Sequence, residues 1–114
     1  MFRYRKNKYN SRKVTIDGIT FDSAKEGDYY CQLKMLRMAG QIKDFERQVL
    51  YELQPKFKHE GKTIRAIKYI ADFVVTYPDG SVEVIDVKGE PTDVYKLKRK
   101  MLLYHYPDIN FKEV

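Results

Sequence analysis

The chain has 114 residues, a formal net charge of +6 and 43% hydrophobic residues. That length fits one domain with a modest core, and no apolar run approaches the roughly 20 residues of a membrane span. A single cysteine, Cys31, excludes an internal disulfide and a cysteine-based zinc site, so it is expected as a small packed residue.

The first thirteen residues are polar and basic, with Arg3, Arg5, Lys6, Lys8, Arg12 and Lys13 ahead of the first apolar run. They are expected as an arm, and no apolar segment follows that would make them a secretory signal. Val14 to Phe21 reads as a small hairpin turning at Asp17-Gly18. Ser23 to about Ala39 reads as a helix, with Tyr29 or Tyr30, Leu33 and Leu36 on its apolar stripe and Gly40 as its stop. About Phe45 to Leu53 reads as a strand with Val49, Tyr51 and Leu53 alternating on one face, ended by Pro55. His59-Glu60-Gly61-Lys62 reads as a turn.

Ile64 to Thr76 reads as a long strand or two pieces of one, and Pro78-Asp79-Gly80 is a strong turn signal. Ser81 to Lys88 reads as the next strand, apolar on both faces and therefore central. Gly89-Glu90-Pro91 breaks it. Thr92 to about Tyr106 reads as a second helix with Val94, Leu97 and Met101 inward and its lysines outward. Pro107 stops it, and Ile109 to Glu113 fits a last edge strand. The core order is α-β-β-β-α-β, an α/β layer stack within residues 14–114.

Two acid-x-lysine triplets occur, Glu60-Gly61-Lys62 and Asp86-Val87-Lys88. The first sits in a polar turn and reads as solvated. The second sits in an apolar strand, where a carboxylate is costly unless it is paired or bound to a cation. Asp86 and Lys88 project from one face of that strand. Asp72 lies in the preceding strand, and antiparallel pairing brings the two strands within roughly 5 Å. Asp72 could equally bond backbone at a strand end, and Lys88 could simply neutralise an acid. A buried ion pair contributes little net stability, however, whereas an ammonium beside a phosphate stabilises developing charge.

Glu26 shares the helix stripe with Tyr30 and Leu33, an odd place for a carboxylate. Ser23-x-x-Glu26 also matches a capping box, so it reads either as a cap or as a further ligand. Gln48 is a candidate to support water or phosphate, or an ordinary strand polar residue. His59 and His105 stand apart from the acids. The basic arm and a second cluster, Lys96, Lys98, Arg99 and Lys100, suit a nucleic-acid backbone. Tyr4 and Tyr9 in the arm could stack on bases.

The element order, with Glu26 in the first helix, Asp72 closing one strand and Asp86-Val87-Lys88 on the next, resembles the PD-(D/E)XK nuclease superfamily over about residues 20–113. The nearest likeness is to small phage-encoded endonucleases and Holliday-junction resolvases. Ala71 stands where that superfamily often has proline. Met101-Leu102-Leu103-Tyr104 replaces the Gln-x-x-Tyr signature of its exonuclease branch. The resemblance implies a restriction-endonuclease-like core, a mixed central sheet flanked by helices. It implies Asp72, Asp86, the Val87 carbonyl and Glu26 as ligands of one or two Mg²⁺ or Mn²⁺ ions, with Lys88 as the catalytic lysine.

The expected function is a divalent-metal-dependent endodeoxyribonuclease acting on branched DNA in phage or bacterial recombination or repair. Such an enzyme is expected as a homodimer, with the N-terminal hairpin as a dimerisation element, in the cytoplasm of a bacterium or phage-infected host. The alternatives are a DNA-binding module that does not cut, and a nuclease subunit of a larger recombination or transposition complex.

Overall fold

The structure is a computed structural model that describes residues 12–87 and 91–114. Two short strands, β1 (Val14–Ile16) and β2 (Ile19–Phe21), form the first hairpin. Its turn residues Asp17 and Gly18 both have positive φ, 54° and 77°, the primed turn geometry that matches strand twist. Helix α1 (Ala24–Met38) follows. Ser23 caps it, its Oγ accepting the Glu26 N–H at 3.1 Å.

The hairpin lies against α1. Asp17 accepts hydrogen bonds from Tyr30 and Lys34, and a Cβ built at Gly27 would stand 2.7 Å from a Val14 methyl. Glycine lets the helix backbone approach the hairpin's apolar side chains this closely.

Strand β3 (Asp44–Gln54) is long and runs to the small hairpin of β4 (Phe57–His59) and β5 (Lys62–Ile64). The reading of a turn at His59–Lys62 holds, and its flanks pair as a separate two-stranded sheet. Strand β6 (Ile67–Thr76) returns antiparallel to β3. Strand β7 (Val82–Asp86) pairs antiparallel with β6, helix α2 (Asp93–His105) crosses over, and β8 (Phe111–Glu113) pairs parallel with β7. The central sheet is therefore mixed, in the order β3-β6-β7-β8. As the apolar run 84–87 foretold, β7 lies inside it.

One expectation for α2 is corrected. Val94 and Leu97 face outward, 62% and 57% exposed, while Leu102 is fully buried. The helix carries apolar residues on several sides, so their period does not select a face. The face that packs is the one bearing Tyr95, Met101 and Leu102.

The sheet separates two apolar layers. Phe73 and Val75 pack with Tyr30, Leu33 and Ile85 in the α1 layer. Tyr69 and Ala71 pack with Leu53, Val84 and Leu102 in the α2 layer. A regular pleat would hold all four odd-numbered side chains of β6 on one face. The β3–β6 ladder pairs Arg47 with Phe73 and Val49 with Ala71, and passes over Gln48 and Asp72 between them. Gln48 has φ +52° there. One residue on each strand is set aside, and side chains exchange layers across it. Asp72 thus sits in the interior of β6 rather than at its end. Among the described residues no helix is long and apolar enough to cross a membrane.

Candidate active site

Three carboxylates converge where the ladder is interrupted. Asp72 comes from mid β6, Asp86 from the last position of β7, and Glu26 from the first turn of α1. Asp72 and Asp86 stand one step beyond the paired residues Phe73 and Ile85. Glu26 and Asp86 are each only 7% exposed. The Asp72 carboxyl lies within hydrogen-bonding reach of both Asp86 and Glu26.

Backbone and phenol groups hold these acids. The Val87 N–H donates to Asp72 Oδ2 at 2.7 Å, and the Tyr69 hydroxyl donates to Asp86 Oδ1 at 3.0 Å. Tyr95 reaches Asp86 as well, while its hydroxyl donates to Glu113. Burial keeps both phenols above their usual range, helped by Asp86 at Tyr69 and by Glu113 and then Asp86 at Tyr95.

Burial pushes the Asp72 carboxyl up to about 7, and the charges of Asp86 and Glu26 add to the rise, against the Val87 N–H that opposes it. Burial, then Asp22, likewise raises Glu26, while the Arg47 guanidinium works the other way. Neighbouring acids that cannot all ionise together shift upward in this way.

Glu26 serves the helix start and also lies beside the other acids. The helix start is capped by Ser23, and the Glu26 carboxylate takes a backbone hydrogen bond at Asp22 while still reaching Asp72. Gln48 is exposed, at the position of β3 that faces Asp72 across the interrupted ladder. Lys88 lies outside the described residues, as do Arg3, Arg5, Lys6 and Lys8.

The second basic cluster does not form one patch. Lys96 and Lys100 are exposed, one turn apart on α2. Lys98 is set about 200° from Lys96 around the axis and lines a hollow with Asp86. Arg99 is committed to Glu113, 2.8 Å away, and lies over the Tyr95 ring. Arg12 and Lys13 precede β1, where Lys13 pairs with Asp22 at 3.7 Å.

Sequence reasoning did not single out Tyr69, Tyr95 or Arg47. A tyrosine inside an apolar strand needs an acceptor for its hydroxyl, and Asp86 was the buried acceptor at hand. Arg47 spans from the Phe21 ring, 4.9 Å away, toward Glu26, and its Nε is buried without a hydrogen-bond partner among the described residues.

The donor set is all oxygen and anionic, the kind that suits Mg²⁺ or Mn²⁺. Such a cation would offset both the burial that raises Asp72 and the smaller repulsion from Asp86 and Glu26. The carboxyls lean on one another, and among the described residues no three His, Cys, Asp or Glu side chains stand arranged around a metal position. No curated protein and no solved structure is a match for the chain. A family model described as "Protein of unknown function (DUF1064)" matches residues 6–114, and the chain belongs to that family.

Proposed function

We propose that this protein is a divalent-metal-dependent endodeoxyribonuclease with a restriction-endonuclease-like core, acting on branched or otherwise structured DNA in phage or bacterial recombination or repair. The observation that carries the reading is the meeting of Glu26, Asp72 and Asp86 from three different elements. Carboxylates in that environment weaken the fold unless they serve a ligand. The sheet order supports it, with three antiparallel strands and then a parallel one after the crossover helix. So does the likeness of Asp72 and Asp86-Val87-Lys88 to the nuclease signature.

In this reading Asp72, Asp86, Glu26 and the Val87 carbonyl hold one or two Mg²⁺ or Mn²⁺ ions. When bound, such ions acidify a water and neutralise charge on the phosphate. The Val87 N–H and the Tyr69 hydroxyl fix the two aspartates in place. Lys88 contributes its ammonium to the attacking water or the scissile phosphate, where charge develops. The protein works as a homodimer, since resolving a junction takes two symmetrical cuts. The basic arm grips the backbone without reading sequence.

Four-way junction, flap, nicked and linear duplex DNA incubated with Mg²⁺, Mn²⁺ or EDTA tests the proposal. Cutting is expected with either metal and none with EDTA. Asp86→Ala and Lys88→Ala are expected to cut at least about 100-fold more slowly and to keep most of the binding. Variants that cut like the parent would remove this site from the chemistry. Binding without any cutting favours the DNA-binding module. Removing residues 1–13 should flatten the salt dependence of binding.

A further inference from the structure

Beside the acids lies a basic groove that the sequence reading did not assign. A hollow of about 310 Å³ is lined by Asp86, Tyr69, Lys68, Ile70 and Lys98, among others. A larger one of about 650 Å³ shares Lys68, Ile70 and Lys98 with it and adds Lys56, Arg65 and Glu52. The two therefore adjoin, and together they reach from the Asp86 carboxylate at the end of β7 to the root of the β4–β5 hairpin.

The charge along this path is one-sided. Lys56 and Arg65 flank the hairpin, Lys68 comes from β6 and Lys98 from α2, and among the described residues lining the larger hollow Glu52 is the one acid that opposes them. No ion pair joins any of the four cations to another described residue. Arg99 and Lys34 differ, since each is tied to a carboxylate. Like charges gathered from separate elements repel one another in the folded state, so their convergence costs stability unless an anion lies among them. Ile70, half exposed between the cations, gives the floor an apolar surface. Cations spaced along a groove with an aliphatic floor suit a sugar–phosphate backbone.

We propose that Lys56, Arg65, Lys68 and Lys98 form a track for one DNA strand, leading that strand to the carboxylates at Asp86. The role given to the end of the track rests on the nuclease reading. Binding along it does not require cutting.

The test uses the full chain in EDTA, so that cutting plays no part. A fluorescein-labelled single-stranded DNA oligonucleotide and a four-way junction are titrated by anisotropy over a range of salt. The Arg65→Glu/Lys68→Glu double variant is expected to bind both probes at least tenfold more weakly. Its log–log salt slope should be shallower by about 0.7 per lost phosphate contact on the single strand. Lys56→Ala and Lys98→Ala should each show a smaller loss in the same direction. The Lys43→Glu/Lys112→Glu double variant, matched in net charge but off the groove, should bind like the parent. Thermal melting confirms that each variant is folded, and the alanine variants stand in should the double reversal fail to fold.

Parent-like binding by the groove variants would overturn the track. So would an equal loss in the matched control, or no binding of either probe by the parent at low salt. Groove-dependent binding together with absent cutting in Mg²⁺ would leave the track standing and remove the nuclease reading.

Discussion

Two aspartates show how differently this fold treats a carboxylate. Asp17, at the tip of the first hairpin, accepts hydrogen bonds from Lys34 and Tyr30. The Lys34 ammonium and the Tyr30 hydroxyl hold its pKa below the ordinary value. Asp72, in the middle of the sheet, faces Asp86 and Glu26, and burial pushes it up to about 7. The first carboxylate is fully compensated by the chain and serves to dock a hairpin. The second is compensated only in part by the described residues, through the Val87 N–H. A site that repels its own charges in the free protein is one whose compensation comes from outside.

The contrast can be broken most forcefully at Asp72. Its side chain binds a proton in the folded state up to about pH 7 but loses it near 3.8 when unfolded. The native state therefore holds more protons across that window, and stability falls as pH rises through it. Without divalent ions the melting temperature should decline between pH 4 and pH 7. Mg²⁺ or Mn²⁺ should restore it, and more at pH 8 than at pH 5. Asp72→Asn should flatten the decline, abolish the metal effect in scanning calorimetry and stop cutting. A variant that keeps the metal-induced shift would place the ions elsewhere.

Tyr69 sharpens the same side of the comparison. Tyr69→Phe removes the hydroxyl that holds Asp86 Oδ1 and keeps the ring in its layer. Losing an outer-shell partner of this kind typically costs about 10–100-fold in metal affinity or activity. Titration of the melting temperature with Mn²⁺ should show the weaker affinity, while the metal-free melting temperature changes little. An unchanged Mn²⁺ titration would make Tyr69 a packing residue only.

The hairpin side responds more mildly. Gly27→Ala sets a Cβ against the Val14 methyl. It should cost about 1–3 kcal/mol, as overpacking does, measured by urea denaturation. The smallest effect is expected from Asp17→Asn, which weakens an exposed pair. It should lower the melting temperature slightly at low salt and not at all at high salt.

Much of this arrangement was legible in the sequence where one physical cost dominates. Asp86 among Val84, Ile85 and Val87 had to be explained, and so did Glu26 on the stripe of Tyr30 and Leu33. Asp-Gly at 17–18 and at 79–80 announced turns, and both are turns in the structure, with positive φ at Gly18 and Gly80. The facing of α2 was illegible because Val94, Leu97, Leu103 and Tyr104 supply a rival apolar side. The exchange of layers in β6 was illegible too. It depends on a left-handed residue at Gln48, and glutamine carries no signal for that conformation. The groove at Lys56, Arg65 and Lys68 is spread over separate elements, so no run of charge marks it.

The parallel pairing of β7 with β8 has a kinetic consequence. Until residues 111–113 have emerged from the ribosome, β7 remains the bare edge of a three-stranded sheet, with the backbone beside Asp86 open to other chains. Val114 then donates its N–H to the Asp86 carbonyl at 3.0 Å. The strand bearing that acid is thus completed only after residues 111–114 are in place, and until then the chain holds its carboxylates in an unfinished frame.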